Sequence, residues 1–150
     1  MSEIEGWIST AALTLGIDIE RLDEIASRQV RTLLESKFVT GEPRVWWLGL
    51  KTPYVYYEIG STRLSEILPV SQGRVLFIPE VDDGHPLPVY AVDVATLEGI
   101  LGECPFFEYY VADRSGAWLV AETEHDVFIL CGTTESLLRL PAGGRLWPAS

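Results

Sequence analysis

The stretch from Phe106 to Gly132, FFEYYVADRSGAWLVAETEHDVFILCG, decides the fold. It holds three apolar segments, at 106–112, 117–122 and 127–131, rich in the aromatic and β-branched residues that favour strands. The two connections, DRSG and TEHD, consist of turn-forming residues and are too short for a crossover between parallel strands. The pattern therefore predicts a meander of three adjacent antiparallel strands.

Two helices are expected at the N-terminus. The first covers residues 2–15, where apolar side chains recur at helical spacing and Ser2 and Glu5 have the spacing of a capping box. The second runs from about 19 to 38 and is capped by Asp18.

Further short elements are expected between these helices and the meander, with one more helix after it. Trp46, Trp47 and three tyrosines lie in a predicted hairpin and are typical of strand packing, with a contact surface for another protein as the alternative. The expected elements are the hairpin strands 45–50 and 54–59, a helix at 61–68, strands at 74–78 and 89–92, a helix capped by Asp93, and a helix at 133–140.

Together these elements predict an α+β fold. Helices come first and last, and the short connections between strands favour antiparallel pairing. We expect one domain over residues 1–150, with a single central, mostly antiparallel sheet flanked by helices.

Length and targeting signals define the general class of the protein. A chain of 150 residues buries enough surface to fold without a disulfide or a metal. It has no apolar run of 18 residues and no signal-peptide pattern, so we expect a cytoplasmic protein that has no membrane contact. Cys104 and Cys131 belong to no CxxC pair, and both are expected to be buried and reduced.

Charge is distributed unevenly along the chain. The sequence has 22 acidic and 11 basic side chains, a net charge of −11. The stretch from Glu80 to Asp126 contains eleven of the acids and a single base, Arg114. Phosphate binding needs basic side chains, so this balance excludes a nucleic-acid-binding protein of the usual kind.

The acidic stretch has two interpretations. It is either a solvated face that keeps the protein soluble, or a docking surface for a basic protein partner. If its turns lie at one edge of the sheet, the surface is strongly negative. Trp118 is either an aromatic anchor of that surface or a core residue, and large aromatic residues in strands usually pack inside. The expected rim consists of Glu80, Asp82, Asp83, Asp113, Glu122, Glu124 and Asp126.

Two polar clusters are the candidates for chemistry. The sequence AETEHD places His125 among carboxylates, residue types that ligate divalent metals, but it lacks the spacing of a known metal motif. His85, with Asp82 or Asp83, could form an acid–base pair, although the loop contains no nucleophile beside it. We therefore expect no catalytic residues, no metal and no cofactor.

The segment 106–132 resembles small bacterial proteins of the SUKH superfamily. The resemblance rests on an aromatic EYY strand, a short turn, a Trp-Leu strand ending in Glu, and His-Asp before the last strand. It implies an α+β domain without catalysis, and many such proteins are immunity proteins that neutralise a toxin in the cytoplasm. The positions that would carry this role are Glu108, Tyr110, Trp118, Glu122 and Asp126.

Three functional hypotheses follow. The first is a non-catalytic binding module, an immunity-type inhibitor of a basic effector or toxin. The second is a small enzyme that uses the carboxylate cluster of His125 or His85, or a metal-binding protein that uses the His125 cluster. The third is an acidic mimic of nucleic acid.

Overall fold

Eight strands form one sheet in this computed structural model, which describes residues 2–58, 60, 63–81, 85–132 and 144–148. Across the sheet the order is β1-β4-β3-β5-β6-β7-β2-β8, and every neighbouring pair is antiparallel. The predicted α+β fold with a single central sheet is confirmed. The strands are β1 (Glu20–Arg21), β2 (Tyr54–Glu58), β3 (Arg74–Pro79), β4 (Tyr90–Asp93), β5 (Tyr109–Ala112), β6 (Trp118–Thr123), β7 (Val127–Gly132) and β8 (Arg145–Trp147).

Helices cover both faces of the sheet. Helices α1, α3 and α4 contribute buried apolar side chains to the core on one face, and α2 contributes to the core on the other. None of the helices in the described part of the chain is long and apolar enough to cross a membrane. The helices are α1 (Glu3–Leu15), α2 (Glu24–Phe38), α3 (Leu64–Ile67), α4 (Val94–Gly102) and a 3-10 helix (Trp46–Gly49).

The central strands supply side chains to both cores in alternation, as the pleat of a strand requires. In β5, Tyr109 and Val111 belong to one core, whereas Tyr110 and Ala112 belong to the other. Because helices lie on both sides, these strands are apolar on both faces, which explains the near-continuous apolar segments of the sequence.

The meander is confirmed. Strands β5, β6 and β7 are consecutive antiparallel neighbours, with Tyr109 opposite Glu122 and Trp118 opposite Gly132. The capping box of α1 is also present, since the Ser2 hydroxyl accepts from the Glu5 amide and the Glu5 carboxylate accepts from the Ser2 amide. Both features depend on residues that are close in sequence.

The predicted helix over 19–38 starts later than expected. Asp23 rather than Asp18 caps α2, through a 2.8 Å hydrogen bond that its side chain accepts from the Ala26 amide. The residues before it pair with β4, where Glu20 lies opposite Ala91. The backbone groups of 20–21 therefore form sheet hydrogen bonds that a longer helix would have lost.

The predicted hairpin over 45–59 is wrong. Residues 46–49 form the 3-10 helix, and β2 pairs with β7 and β8 instead. In a strand, Trp46 and Trp47 would point to opposite faces, but the helical turn packs both against the same core. The Trp46 ring lies 5.0 Å from that of Tyr110, measured between centroids.

The cysteines are free, and their burial differs. Cys131 is buried as expected, whereas Cys104 is only partly buried. Burial raises the pKa of the Cys131 thiol to about 12. Burial and the nearby Glu103 carboxylate also raise the pKa of Cys104. The helix expected at 133–140 lies outside the described residues.

Candidate functional site

The turns of the meander lie at opposite ends of the strands. Tyr109, at the start of β5, is opposite Pro79 and Glu122, whereas Ala112, at its end, is opposite Leu76 and Leu119. Successive turns of an antiparallel meander must alternate between the two ends. Asp113 therefore lies at the far end of the sheet, and the expected single surface that included it is wrong.

The other expected carboxylates gather at one end, which we call the acidic edge. Glu80 follows β3, and Glu122 lies near the end of β6. The segment before β5 brings Glu108 to the same end, since the Glu80 amide donates a 2.9 Å hydrogen bond to the Glu108 carbonyl. Asp82 and Asp83 lie outside the described residues. The acidic edge consists of Glu80, Glu108, Glu122, Glu124 and Asp126.

Hydrogen bonds hold two of these carboxylates in place. The Tyr110 hydroxyl donates to Glu80 Oε2 at 2.7 Å and accepts from the Trp47 amide at 3.2 Å. Burial and the Glu80 carboxylate raise the pKa of Tyr110 well above its usual value, so the hydroxyl remains a donor. Glu108 Oε2 accepts from the Glu124 amide at 2.9 Å, which ties the start of β5 to the β6–β7 turn.

A cavity of about 470 Å³ lies beside these carboxylates. Glu3, Glu80, Glu108 and Glu124 line it together with a single cationic side chain, Arg44. Its apolar lining includes Trp7, Phe106 and Phe107. The cavity combines negative charge with aromatic surface, a combination suited to cationic groups.

A second cavity, of about 400 Å³, adjoins the first, and we call it the Glu122 cavity. It lies between α4, the segment 104–107 and the ends of β5, β6 and β7. Phe106 and Phe107 line both cavities, so the exposed ring of Phe106 stands between them. The lining also includes Leu101, Phe128, Glu98 and Glu122.

The two carboxylates of the Glu122 cavity have different environments. Burial raises the pKa of Glu98, but hydrogen bonds from Ser65 and the nearby Arg63 outweigh it, so the net shift is downward. Burial also raises the pKa of Glu122, and Asp126 adds to this, whereas a hydrogen bond from Tyr109 only partly opposes it. Glu122 is thus the less stabilised anion of the two.

The His125 cluster does not have the geometry of a metal site. His125 Nε2 lies 4.0 Å from Glu124 Oε1, and its ring packs edge-on against Trp47 at 5.3 Å between centroids. No group of three or more His, Cys, Asp or Glu side chains within the described residues could hold a metal ion.

His85 lies apart from that cluster. It lines a third cavity, of about 480 Å³, together with Arg31 and Glu80. The acid–base partners expected for it, Asp82 and Asp83, fall outside the described residues.

Trp118 lies inside the protein, away from the acidic edge. Only 3% of its surface is exposed, and it belongs to the core beneath α1 and α4. Tyr110, another position carried by the resemblance, is 1% exposed. Among the expected site residues, these two side chains therefore support the fold rather than forming a surface.

Sequence reasoning missed Phe106 and Glu3. Phe106 is 59% exposed, and the sequence pattern assigned it to a strand. In the structure residues 105–108 lie outside regular elements, and β5 begins only at Tyr109. Glu3 joins the site through the packing of α1, for which the sequence carries no local signal.

Comparisons with known proteins found no match to any family model, curated protein or solved structure.

Proposed function

We propose that this chain is a non-catalytic module that binds a basic protein through its acidic edge. The observation that carries the proposal is the unbalanced charge at this end of the sheet. Within the described residues, no Lys or Arg lies within 4.0 Å of the carboxylates of Glu108, Glu122 or Asp126. Arg44 is the one cationic side chain among the four carboxylates that line the adjoining cavity. Carboxylates in such excess repel one another, and a basic partner would relieve that repulsion.

The exposed Phe106 ring supports the same function. A surface with charged side chains around an aromatic ring resembles the usual arrangement of protein interfaces, where aromatic residues anchor and charges steer. Glu108 and Glu124 line the same cavity as Phe106. An arrangement of this kind favours rapid, salt-dependent association with a positively charged protein.

The class of partner follows from the resemblance of residues 106–132. A basic effector or toxin, neutralised in the cytoplasm by an immunity-type inhibitor, is the partner that the SUKH resemblance supports. Such an inhibitor needs no catalytic group of its own, because covering the effector's active surface is sufficient.

Affinity capture at low and high salt tests the proposal. The full chain should retain a basic protein from a lysate of its source cells at low ionic strength and release it as salt rises. For the captured protein, the double variant Glu108→Gln, Asp126→Asn should associate about tenfold more slowly and with a weaker salt dependence. Both substitutions keep an acceptor oxygen at the same position, and Asn tolerates the positive φ of Asp126.

Asp113→Asn is the matched control. It removes one charge at the opposite end of the sheet, and Asn can keep the turn hydrogen bond to Ser115. The proposal would be overturned if the double variant associated as fast as the parent protein at every salt concentration. Competition for the captured protein by duplex DNA would instead assign the edge to mimicry of nucleic acid.

A further inference from the structure

We propose that the Glu122 cavity receives one basic side chain, a lysine or arginine of the partner protein, whose charged end pairs with Glu122. This inference rests on the proposed function and extends it by naming the point where the partner inserts. The cavity, of about 400 Å³, is large enough for a single long side chain.

The lining of the cavity matches the two parts of such a side chain. Leu101, Phe106 and Phe107 present apolar surface, against which the aliphatic stem of a lysine or arginine packs well. The Phe128 ring and the other phenylalanines also attract a cation over their faces. A neutral apolar side chain would fill the same space but would not neutralise the charge of Glu122.

Of the two carboxylates, Glu122 is the one available to a ligand. Glu98 already accepts from Arg63 at 3.1 Å and from the Ser65 amide at 2.6 Å, so it holds α3 against α4. The group that faces Glu122 across the β5–β6 pair is the Tyr109 hydroxyl, which donates a hydrogen bond to it. Arg63, the cationic side chain in the described lining, is thus held by Glu98, and Glu122 has only a neutral donor beside it.

The raised pKa of Glu122 shows that no cationic side chain offsets its burial. The titratable groups that act on Glu122 are Tyr109 on β5 and Asp126 in the following turn. The cavity lining adds Cys104 and the ion pair of Arg63 with Glu98. Because Arg63 is held by Glu98, burial keeps the pKa of Glu122 raised. An ammonium or guanidinium group in the cavity would favour the ionised carboxylate and complete the pairing.

An NMR titration of the isotope-labelled full chain tests the inference. The probes are N-acetyl-arginine methylamide, N-acetyl-lysine methylamide and the neutral N-acetyl-norleucine methylamide. The two basic probes should shift the resonances of Leu101, Phe107 and Phe128, and the neutral probe should shift them much less. In Glu122→Gln the affinity for the basic probes should fall about tenfold, since a charged hydrogen bond is lost. Asp113→Asn, which removes a carboxylate at the opposite end of the sheet, is the matched control and should keep the affinity.

The outcomes separate this inference from the proposed function. Equal shifts with the neutral probe, or unchanged affinity in Glu122→Gln, would overturn the inference while leaving salt-dependent capture by the acidic edge intact. Failure to capture a basic protein would overturn the proposed function, and with it the assignment of the side chain to a partner. The probe titration uses no partner, so it would still show whether the cavity prefers a cationic side chain. Chemical-shift dispersion of the NMR spectrum that matches the parent protein in both variants shows that each variant folds.

Discussion

At the scale of single residues, two consecutive tyrosines organise the acidic edge. Tyr109 and Tyr110 are adjacent in β5 and therefore point to opposite faces of the sheet. Tyr109 donates to Glu122 on one face, and Tyr110 donates to Glu80 on the other. Each hydroxyl is buried, so both carboxylates are held at the end of the sheet by donors that belong to the core.

The raised pKa of Glu122 predicts a pH dependence of stability. The folded state holds the proton of the Glu122 carboxyl more tightly than the unfolded state. The free energy of unfolding should therefore fall as the pH rises above 4.5, the ordinary pKa of a glutamate. Glu122→Gln should be more stable than the parent protein at neutral pH, and the difference should shrink at acidic pH. Urea denaturation across a pH series measures both effects.

Glu124→Gln is the control for this prediction, because Glu124 is exposed and forms no buried contact through its carboxylate. A Glu122→Gln variant that is less stable than the parent protein at neutral pH would contradict the assignment of an unfavourable buried charge.

Burial of Trp118 predicts a loss of stability rather than of binding. Trp118→Ala removes a large side chain from the core beneath α1 and α4, so it should lower the free energy of unfolding by about 3–5 kcal/mol. The association rate of the remaining folded protein should stay unchanged, because the residue lies at the end of the sheet opposite the acidic edge. Denaturation and binding kinetics on the same preparation measure the two effects; slower association with unchanged stability would place Trp118 in the interface instead.

At the scale of elements, the start of α1 links the helix to the edge of the sheet. Glu5 completes the capping box with Ser2 and also accepts from Arg21 Nε of β1 at 2.8 Å. Hydrogen bonds from Ser2 and the Arg21 charge lower the pKa of Glu5, although burial, the largest single influence, acts in the opposite direction. One carboxylate therefore fixes both the first turn of the helix and its position against β1.

Loss of this cap should weaken the fold measurably. Ser2→Ala removes the acceptor for the Glu5 amide, so the free energy of unfolding should fall by about 1 kcal/mol. Ser9→Ala makes the same chemical change at an exposed position within α1 and should keep or raise the stability, because alanine favours helix. Chemical denaturation of the two variants tests this, and equal effects would show that the cap contributes nothing.

At the scale of the whole molecule, the sheet order places strands from the second half of the chain in the centre. Strands β5 and β6 lie between β3 and β7, and helices cover both of their faces. Strands β1 and β8 lie at the two edges, and their residues are exposed. We therefore expect the meander, which also carries most of the acidic edge, to be the most stable part of the molecule.

This order predicts the pattern of amide hydrogen exchange. The amides of Val111 and Val120, which lie opposite each other and are fully buried, should be among the slowest to exchange. The Arg21 amide, in the exposed edge strand β1, should exchange faster by several orders of magnitude. Hydrogen–deuterium exchange followed by NMR measures these rates, and equally fast exchange in β5 and β1 would contradict the central position of β5.

Features that depend on near neighbours in the chain were predictable from the amino-acid pattern. The meander follows from apolar strands joined by short turns, and the capping box from two residues at fixed spacing. Neither feature needs a contact between distant parts of the chain. The cap is formed by residues three positions apart, and the strand pleat decides which side chains share a face. The fold class, the residues that form α1 and the antiparallel pairing within 106–132 were predictable on this basis.

Tertiary structure alone decided which charges share a surface. The alternation of turns separates Asp113 from Asp126, and the packing of α1 and α4 brings Glu3 and Glu98 to the acidic cavities. The 3-10 helix at Trp46–Gly49 likewise forms because both tryptophans pack on one core. These outcomes depend on contacts between residues far apart in the chain, and local periodicity carries no information about such contacts.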